Sequence, residues 1–184
     1  MIDEQPQQKY QVRFDWGLAG FQALAAQADV VILADALPGT DAESGYPTPL
    51  AAHQVIAAGF GNRSAVAEWV LARQTEKGDR FAVAVIAVGE RRPDGTPRVA
   101  VEDLLVAGAV IDALTGLGID HCSPEAAAAS AAFVGLKRAL RHLTSASETG
   151  QALARAGREL EVEAAGRLDD SCTVLALGEF TFPA

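Results

Sequence analysis

Apolar residues in this chain fall into two kinds of run. Val30–Asp35 (VVILAD) and Phe81–Val88 (FAVAVIAV) are continuous and rich in β-branched residues, the signature of strands covered on both faces. Around them the apolar positions recur at helical spacing. Gly17–Ala28 is Ala/Leu-rich with Leu18, Phe21, Leu24 and Ala25 on one face, and Val101–Leu117 carries Leu104, Ala107, Gly108, Ile111 and Leu114 on one stripe; both predict helices. Tyr10–Phe14 alternates as a short strand, with Asp15 as the cap of the helix after it. Strand, helix, strand at residues 10–35 implies a right-handed crossover, so part of the sheet is parallel.

The second half continues with helices. Gln54–Ala57 reads as a short strand leading to a helix that Asn62 or Ser64 caps and Gly78 stops, with Val66, Val70 and Leu71 inward. Ser123-Pro124-Glu125 is a helix start with Ser as cap and Pro at the first position, and the Ala-rich segment to Leu143 suits close packing on a sheet. Ser147–Ala156 and Glu159–Leu168 predict two more helices, and Thr173–Leu177 a final edge strand. The fold class is α/β, with layered helices around a mixed, partly parallel central sheet. Residues 1–9 form a disordered tail, and residues 10–184 a single domain.

Composition narrows the function classes. The chain has 184 residues, 49% hydrophobic and 21% charged, with a net charge of −9. That length supports one hydrophobic core, and the negative balance argues against nucleic acid or an anionic membrane as partner. No apolar run approaches a membrane span and MIDEQPQQKY is not a secretory signal, so a cytoplasmic location is expected. Cys122 and Cys172 form no CxxC and are expected to be reduced and at least partly buried. His53, His121 and His142 lack ligand spacing, which disfavours zinc.

Against this background Ala87–Leu105, AVGERRPDGTPRVAVEDLL, stands out. A buried strand runs into a charged Gly/Pro loop with Asp94-Gly95 as its turn, and then a helix opens with Glu102-Asp103. Small-anion or metal sites in open α/β sheets lie outside the carboxyl ends of the strands. Two plainer readings stand beside this one. Glu102 and Asp103 in a first helical turn are favoured by the helix dipole alone, and Asp35 at the head of the loop-forming Ala36–Pro49 segment is as well suited to bonding local backbone. The GFGN turn before the Asn62 helix has the chemistry to cradle an anion, but such turns are common.

Seven segments, in order, resemble one family. They are VRFDWGLAG (Val12–Gly20), VVILADAL (Val30–Leu37), GNRSAVAEWV (Gly61–Val70), GERRPDGTPRVAVEDLLVAGAVIDAL (Gly89–Leu114), SPEAAAA (Ser123–Ala129), ETGQALARAG (Glu148–Gly157) and LDDS (Leu168–Ser171). Together they are similar to the ComB family of magnesium-dependent 2-phosphosulfolactate phosphatases. The resemblance implies Mg²⁺-assisted hydrolysis of a small acidic phosphomonoester. Asp35, Glu90 and Asp103 would be catalytic, Asp35, Glu90 and Glu102 would hold the metal, and Asn62, Arg91 and Arg98 would bind the substrate. Bidentate arginine contacts to phosphate or sulfonate oxygens would fit that role.

The chain also departs from the family. Where members carry a motif like DVLRATST, it reads DALPGTDA, keeping only the aspartate, and a deletion near residues 36–52 removes an Asn-Ser-Pro-like and an Asn-Gly-Thr/Ser element. Ser145 and Ser147 stand where relatives often have a cysteine. Two alternatives follow from the shortened pocket: a member repurposed for another small-molecule reaction, such as tailoring or cyclisation in secondary metabolism, or a non-catalytic binding protein. Expected partners are a small anionic or other small-molecule substrate and, through the Ala-rich helices and Cys172–Phe182, a homodimer.

Overall fold

The computed structural model describes residues 6–37, 46–48, 54–177 and 180–182. In chain order the elements are β1 (Val12–Trp16), α1 (Gly17–Leu24), β2 (Val30–Ala34), β3 (Tyr46–Thr48), β4 (Gln54–Ala58), α2 (Arg63–Lys77), β5 (Val83–Ala87), β6 (Glu90–Arg91), β7 (Pro97–Arg98) and α3 (Val101–Gly116). They continue with α4 (Pro124–Leu136), α5 (Leu140–Ala146), α6 (Glu148–Arg155), α7 (Glu159–Ala165), β8 (Leu175–Leu177) and β9 (Phe180–Phe182). The five-stranded sheet has the order β1-β5-β2-β4-β8. The first four strands are mutually parallel, and β8 closes the β4 side antiparallel. The expected α/β class with a mixed, mostly parallel central sheet is what the chain adopts.

The two continuous apolar runs are β2 and β5, and every residue of both strands is buried. Alternate residues point to opposite faces, so each run must be apolar throughout. Phe21, Leu24 and Ala25 of the α1 side cover one face together with Val31, Leu33, Ala84 and Ile86. On the other face Val66 and Val70 of α2, Leu105, Val110 and Ile111 of α3, and Phe133 of α4 pack on Ile32, Ile56 and Val85. Helix α3 is apolar nearly all round because it lies between the sheet and α4. Gly108 allows that closeness, since a Cβ there would run into the carbonyl of Ala129 and the Cβ of Phe133.

Several expected boundaries shift. The first strand begins at Val12 rather than Tyr10 and takes in Asp15, so Trp16 occupies the N-cap position of α1, with no side-chain cap bond. The Ala-rich helix after Ser123 is broken by a 3-10 turn at Lys137–Ala139 into α4 and α5, while Ser123 caps it as expected, accepting from Ala126 N–H at 3.1 Å. The charged loop contains a small hairpin, β6 with β7. Residues 6–9 form turns, with Gln7 exchanging hydrogen bonds with the Phe14 backbone. Cys122 is partly buried, but Cys172 is exposed, because it lies in the extended approach to β8 and not in the core. Most of the Ala36–Pro49 loop, the deletion near 36–52 and His53 lie outside the described residues, apart from β3, which pairs with β9. Among the described residues no helix is long and apolar enough to cross a membrane.

Candidate functional site

Strand order decides where a site can form. Strands β1 and β5 are neighbours, yet β1 continues into α1 on one face and β5 continues toward α3 on the other. Connections that leave adjacent parallel strands toward opposite faces open a crevice beyond the strands' carboxyl ends. A cavity of about 510 Å³ lies there, lined by Asp15, Trp16, Gly17, Val88, Gly89, Glu90, Arg91 and Arg98 among others. Gly17 and Gly89 turn the chain away from β1 and β5 with φ of +55° and +70°, a region that disfavours a side chain. At Gly89 a Cβ would also lie 3.1 Å from the Arg98 carbonyl.

Beside this cavity four carboxylates converge. Asp35 follows β2, Glu90 follows β5, and Glu102 and Asp103 open α3. Both helical residues are buried, with only 1% and 3% of their surfaces exposed. The solvated first-turn role that the helix dipole alone would explain is therefore replaced by a tertiary one. Asp103 ties two strand ends together: Ala36 N–H donates to its Oδ1 and Gly89 N–H to its Oδ2, each at 2.9 Å. Asp35 accepts from Leu37 N–H at 3.0 Å, so the local backbone bond and the place in the cluster hold together. Among the described residues neither oxygen of Glu102 has a hydrogen-bond partner. Arg98 Nη2 stands 4.0 Å from Glu102 Oε1.

Burial of so much negative charge changes its protonation. Burial, with repulsion from Glu90 and Glu102, pushes the Asp35 carboxyl up to about 7 against the Leu37 hydrogen bond. Asp103 is also raised well above the ordinary range, first by burial and then by the charge of Asp35. Both carboxyls are therefore held above the ordinary range by the same cause, burial beside other carboxylates.

The arginines of the expected site behave differently from one another. Arg98 is half-enclosed, donating to Thr149 Oγ1 at 2.7 Å and lying 3.4 Å from Glu148 Oε2. Helix α6, capped by Ser147 through Gly150 N–H at 3.0 Å, thus supplies the groups that hold it. Arg91 is exposed on the hairpin, donates to Gly95 O at 2.9 Å and lines the cavity. Asn62 stands apart, at the turn after β4. Its Oδ1 accepts from Gly59 N–H, and its Nδ2 donates to the carbonyls of Ala57 and Thr173. Nor is the start of α2 an open anion cradle. Asp169 accepts there from Ser64 N–H at 3.2 Å and from Arg63 Nε at 3.0 Å, so the chain supplies its own anion.

Asp15 and Trp16 were not singled out as site residues by sequence reasoning. An Asp before Gly-Leu-Ala reads locally as a helix cap, and only the neighbouring position of β5 turns it toward a cavity. The usable signal is the pattern itself: Asp15 in the last two residues of β1 and Asp35 just after β2 both stand at the carboxyl end of a parallel strand.

Among the described residues no group of three or more His, Cys, Asp or Glu side chains is placed to hold a metal ion. A closed protein cage is therefore absent there. Mg²⁺, however, is commonly held by one or two carboxylates, with water and substrate phosphate completing the shell. Glu102, buried with both oxygens unpartnered and close enough to Asp35 to raise its pKa, fits that open kind of site.

The family model for 2-phosphosulpholactate phosphatase matches residues 39–179. The chain belongs to this family. No curated protein matches it. The matched span takes in Glu90, Arg98, Glu102, Asp103 and the α6 residues that hold Arg98. The first two segments of resemblance, Val12–Gly20 and Val30–Leu37, precede it, so the family match covers the α3 side of the crevice and not the β1 side.

Proposed function

We propose that this chain hydrolyses a small phosphomonoester, with a divalent cation, at the carboxyl edge of β1, β5 and β2. Its support is a buried carboxylate cluster in which, among the described residues, Glu102 has no hydrogen-bond partner and Asp35 is raised to about 7, beside a cavity that Arg98 borders. Unpartnered buried charge is costly, and such groups gather at functional sites. Glu102, with Glu90 as a second carboxylate, would hold the cation in an open shell, with Mg²⁺ as the family implies. When bound, it supplies charge neutralisation at the phosphoryl oxygens and polarises the phosphorus toward attack by water. Arg98 orients the phosphate, held in place by Thr149 and Glu148. Asp35, with its pKa near 7, takes a proton from the attacking water or gives one to the leaving alcohol close to neutral pH. Asp103 positions both by fixing the backbone at Ala36 and Gly89. Arg91 sits at the mouth, where an incoming anion meets it first. Asn62 acts here through the turn after β4 and not through contact with substrate.

Purified protein with Mg²⁺ is expected to release inorganic phosphate from small phosphomonoesters, and chelation is expected to stop it. Asp35→Asn should lower kcat by about a hundredfold or more, the usual scale for losing a general acid or base. Absence of release from a broad panel would remove the hydrolase reading. Binding of the same esters without release would then favour altered chemistry or a binding role.

A further inference from the structure

The cavity between β1 and β5 has a character of its own. Its ionic lining is balanced, with Asp15 and Glu90 against Arg91 and Arg98. Arg98 is already met by Glu102, Glu148 and Thr149, and Glu90 belongs to the carboxylate cluster that raises Asp35. A substrate that carried a sulfonate and a carboxylate besides its phosphate would bring extra negative charge against Asp15 and Glu90, and like charges so placed repel. Apart from Gln22, the rest of the described wall is without polar side chains, and Trp16, Leu18, Val88, Pro97 and Val99 supply its apolar surface. Val99 leaves 63% of its surface exposed at this rim. The Trp16 ring is held edge-on by Phe14, with centroids 5.7 Å apart and planes at 73°. A rigid aromatic wall of this kind suits a flat or alkyl body.

Resting on the hydrolase reading above, we infer that the phosphomonoester taken by this chain carries its phosphate as the single anionic group on an apolar, flat organic body. Trp16 receives that body, and Asp15 sets the selectivity by repelling a second anionic group. The phosphate end lies toward Glu90 and Arg98, and the body lies along Trp16 and the hairpin.

Two probes separate the possibilities: 1-naphthyl phosphate, with one anionic group, and 2-phosphoglycerate, with a carboxylate as well. Phosphate release and calorimetric binding are measured for both, with Mg²⁺, in the wild type, Trp16→Leu and Asp15→Asn, each variant checked for folding by its melting temperature. The expected kcat/KM favours 1-naphthyl phosphate by about tenfold or more, the scale on which a pocket separates ligands. Trp16→Leu should weaken naphthyl phosphate selectively, and Asp15→Asn should narrow the ratio by admitting phosphoglycerate. A preference for phosphoglycerate would overturn the inference while leaving the hydrolase reading intact. Trp16-dependent binding of naphthyl phosphate without release of phosphate would sustain the pocket's selectivity and remove the hydrolase reading. Binding of neither probe would overturn the inference.

Discussion

Glu102 combines 1% exposure with two carboxylate oxygens that accept no hydrogen bond among the described residues. The Arg98 guanidinium stands 4.0 Å from one of them. A residue so placed lowers stability, because burying an ionised group without full pairing costs several kcal/mol. Glu102→Gln keeps the shape and removes the charge. We expect its melting temperature in chelator to exceed that of the wild type, by about 1–3 kcal/mol in stability, while Mg²⁺-dependent phosphate release falls to background. A variant both less stable and fully active would contradict the role given to this side chain. The same residue marks the limit of reading from sequence. Glu102 and Asp103 satisfy a local rule at a helix start, and nothing local says that the turn is buried. Asp35 is half legible: a carboxylate at the end of an apolar run suits local backbone bonding as well as a site, and here it accepts from Leu37 N–H while standing in the cluster.

Among the elements, α3 connects packing to chemistry. Its first turn carries Glu102 and Asp103, and its middle touches α4 through Gly108. Gly108→Ala would place a methyl group against the Ala129 carbonyl and the Phe133 Cβ, backbone and branch-point atoms that cannot swing aside. Overpacking of this sort costs roughly 1–3 kcal/mol or more. The expected result is a lower denaturant midpoint together with reduced phosphate release, because a displaced α3 pulls Asp103 from Ala36 and Gly89. An unchanged midpoint would show that α3 and α4 have slack. Sequence periodicity found this helix to within a residue, and placed Gly108 on its inward stripe. It gave no sign that Leu105, Val106 and Ala109 are inward too, since a helix buried on several sides has no single stripe. The α4–α5 break was equally illegible: the Ala-rich run continues without a Gly or Pro at Lys137–Ala139.

For the whole molecule, the order β1-β5-β2-β4-β8 is the least legible property. The crossover from Val12 to Ala34 was readable, but the insertion of β5 between β1 and β2 depends on contacts far apart in the chain. That insertion creates the crevice, which is why Asp15 escaped notice. The global energetics carry a further expectation. Burial, with Glu90 and Glu102 adding repulsion, sets Asp35 near 7, and Asp103 is raised as well. In the unfolded chain both would titrate near 4. Between those values the folded state binds more protons than the unfolded one, so stability is greatest below about pH 4 as far as these groups go, and falls as pH rises through about 7. The melting temperature should drop by several degrees between about pH 5 and about pH 8. Added Mg²⁺ should recover part of the loss at the higher pH. A flat profile in chelator would contradict the raised carboxyls of Asp35 and Asp103.

One long-range contact has a consequence for how the chain comes into being. The turn after β4 and the first turn of α2 are completed by Asp169 and by the Thr173 carbonyl, more than a hundred positions downstream. Domains form from the amino end as the ribosome delivers them. Here β4 and α2 emerge early, with Asn62 and Arg63 still lacking those partners, and stay so until the segment Leu168–Thr173 has left the exit tunnel. Final locking of the sheet's β4 side is therefore a late event, timed by translation of Leu168–Thr173.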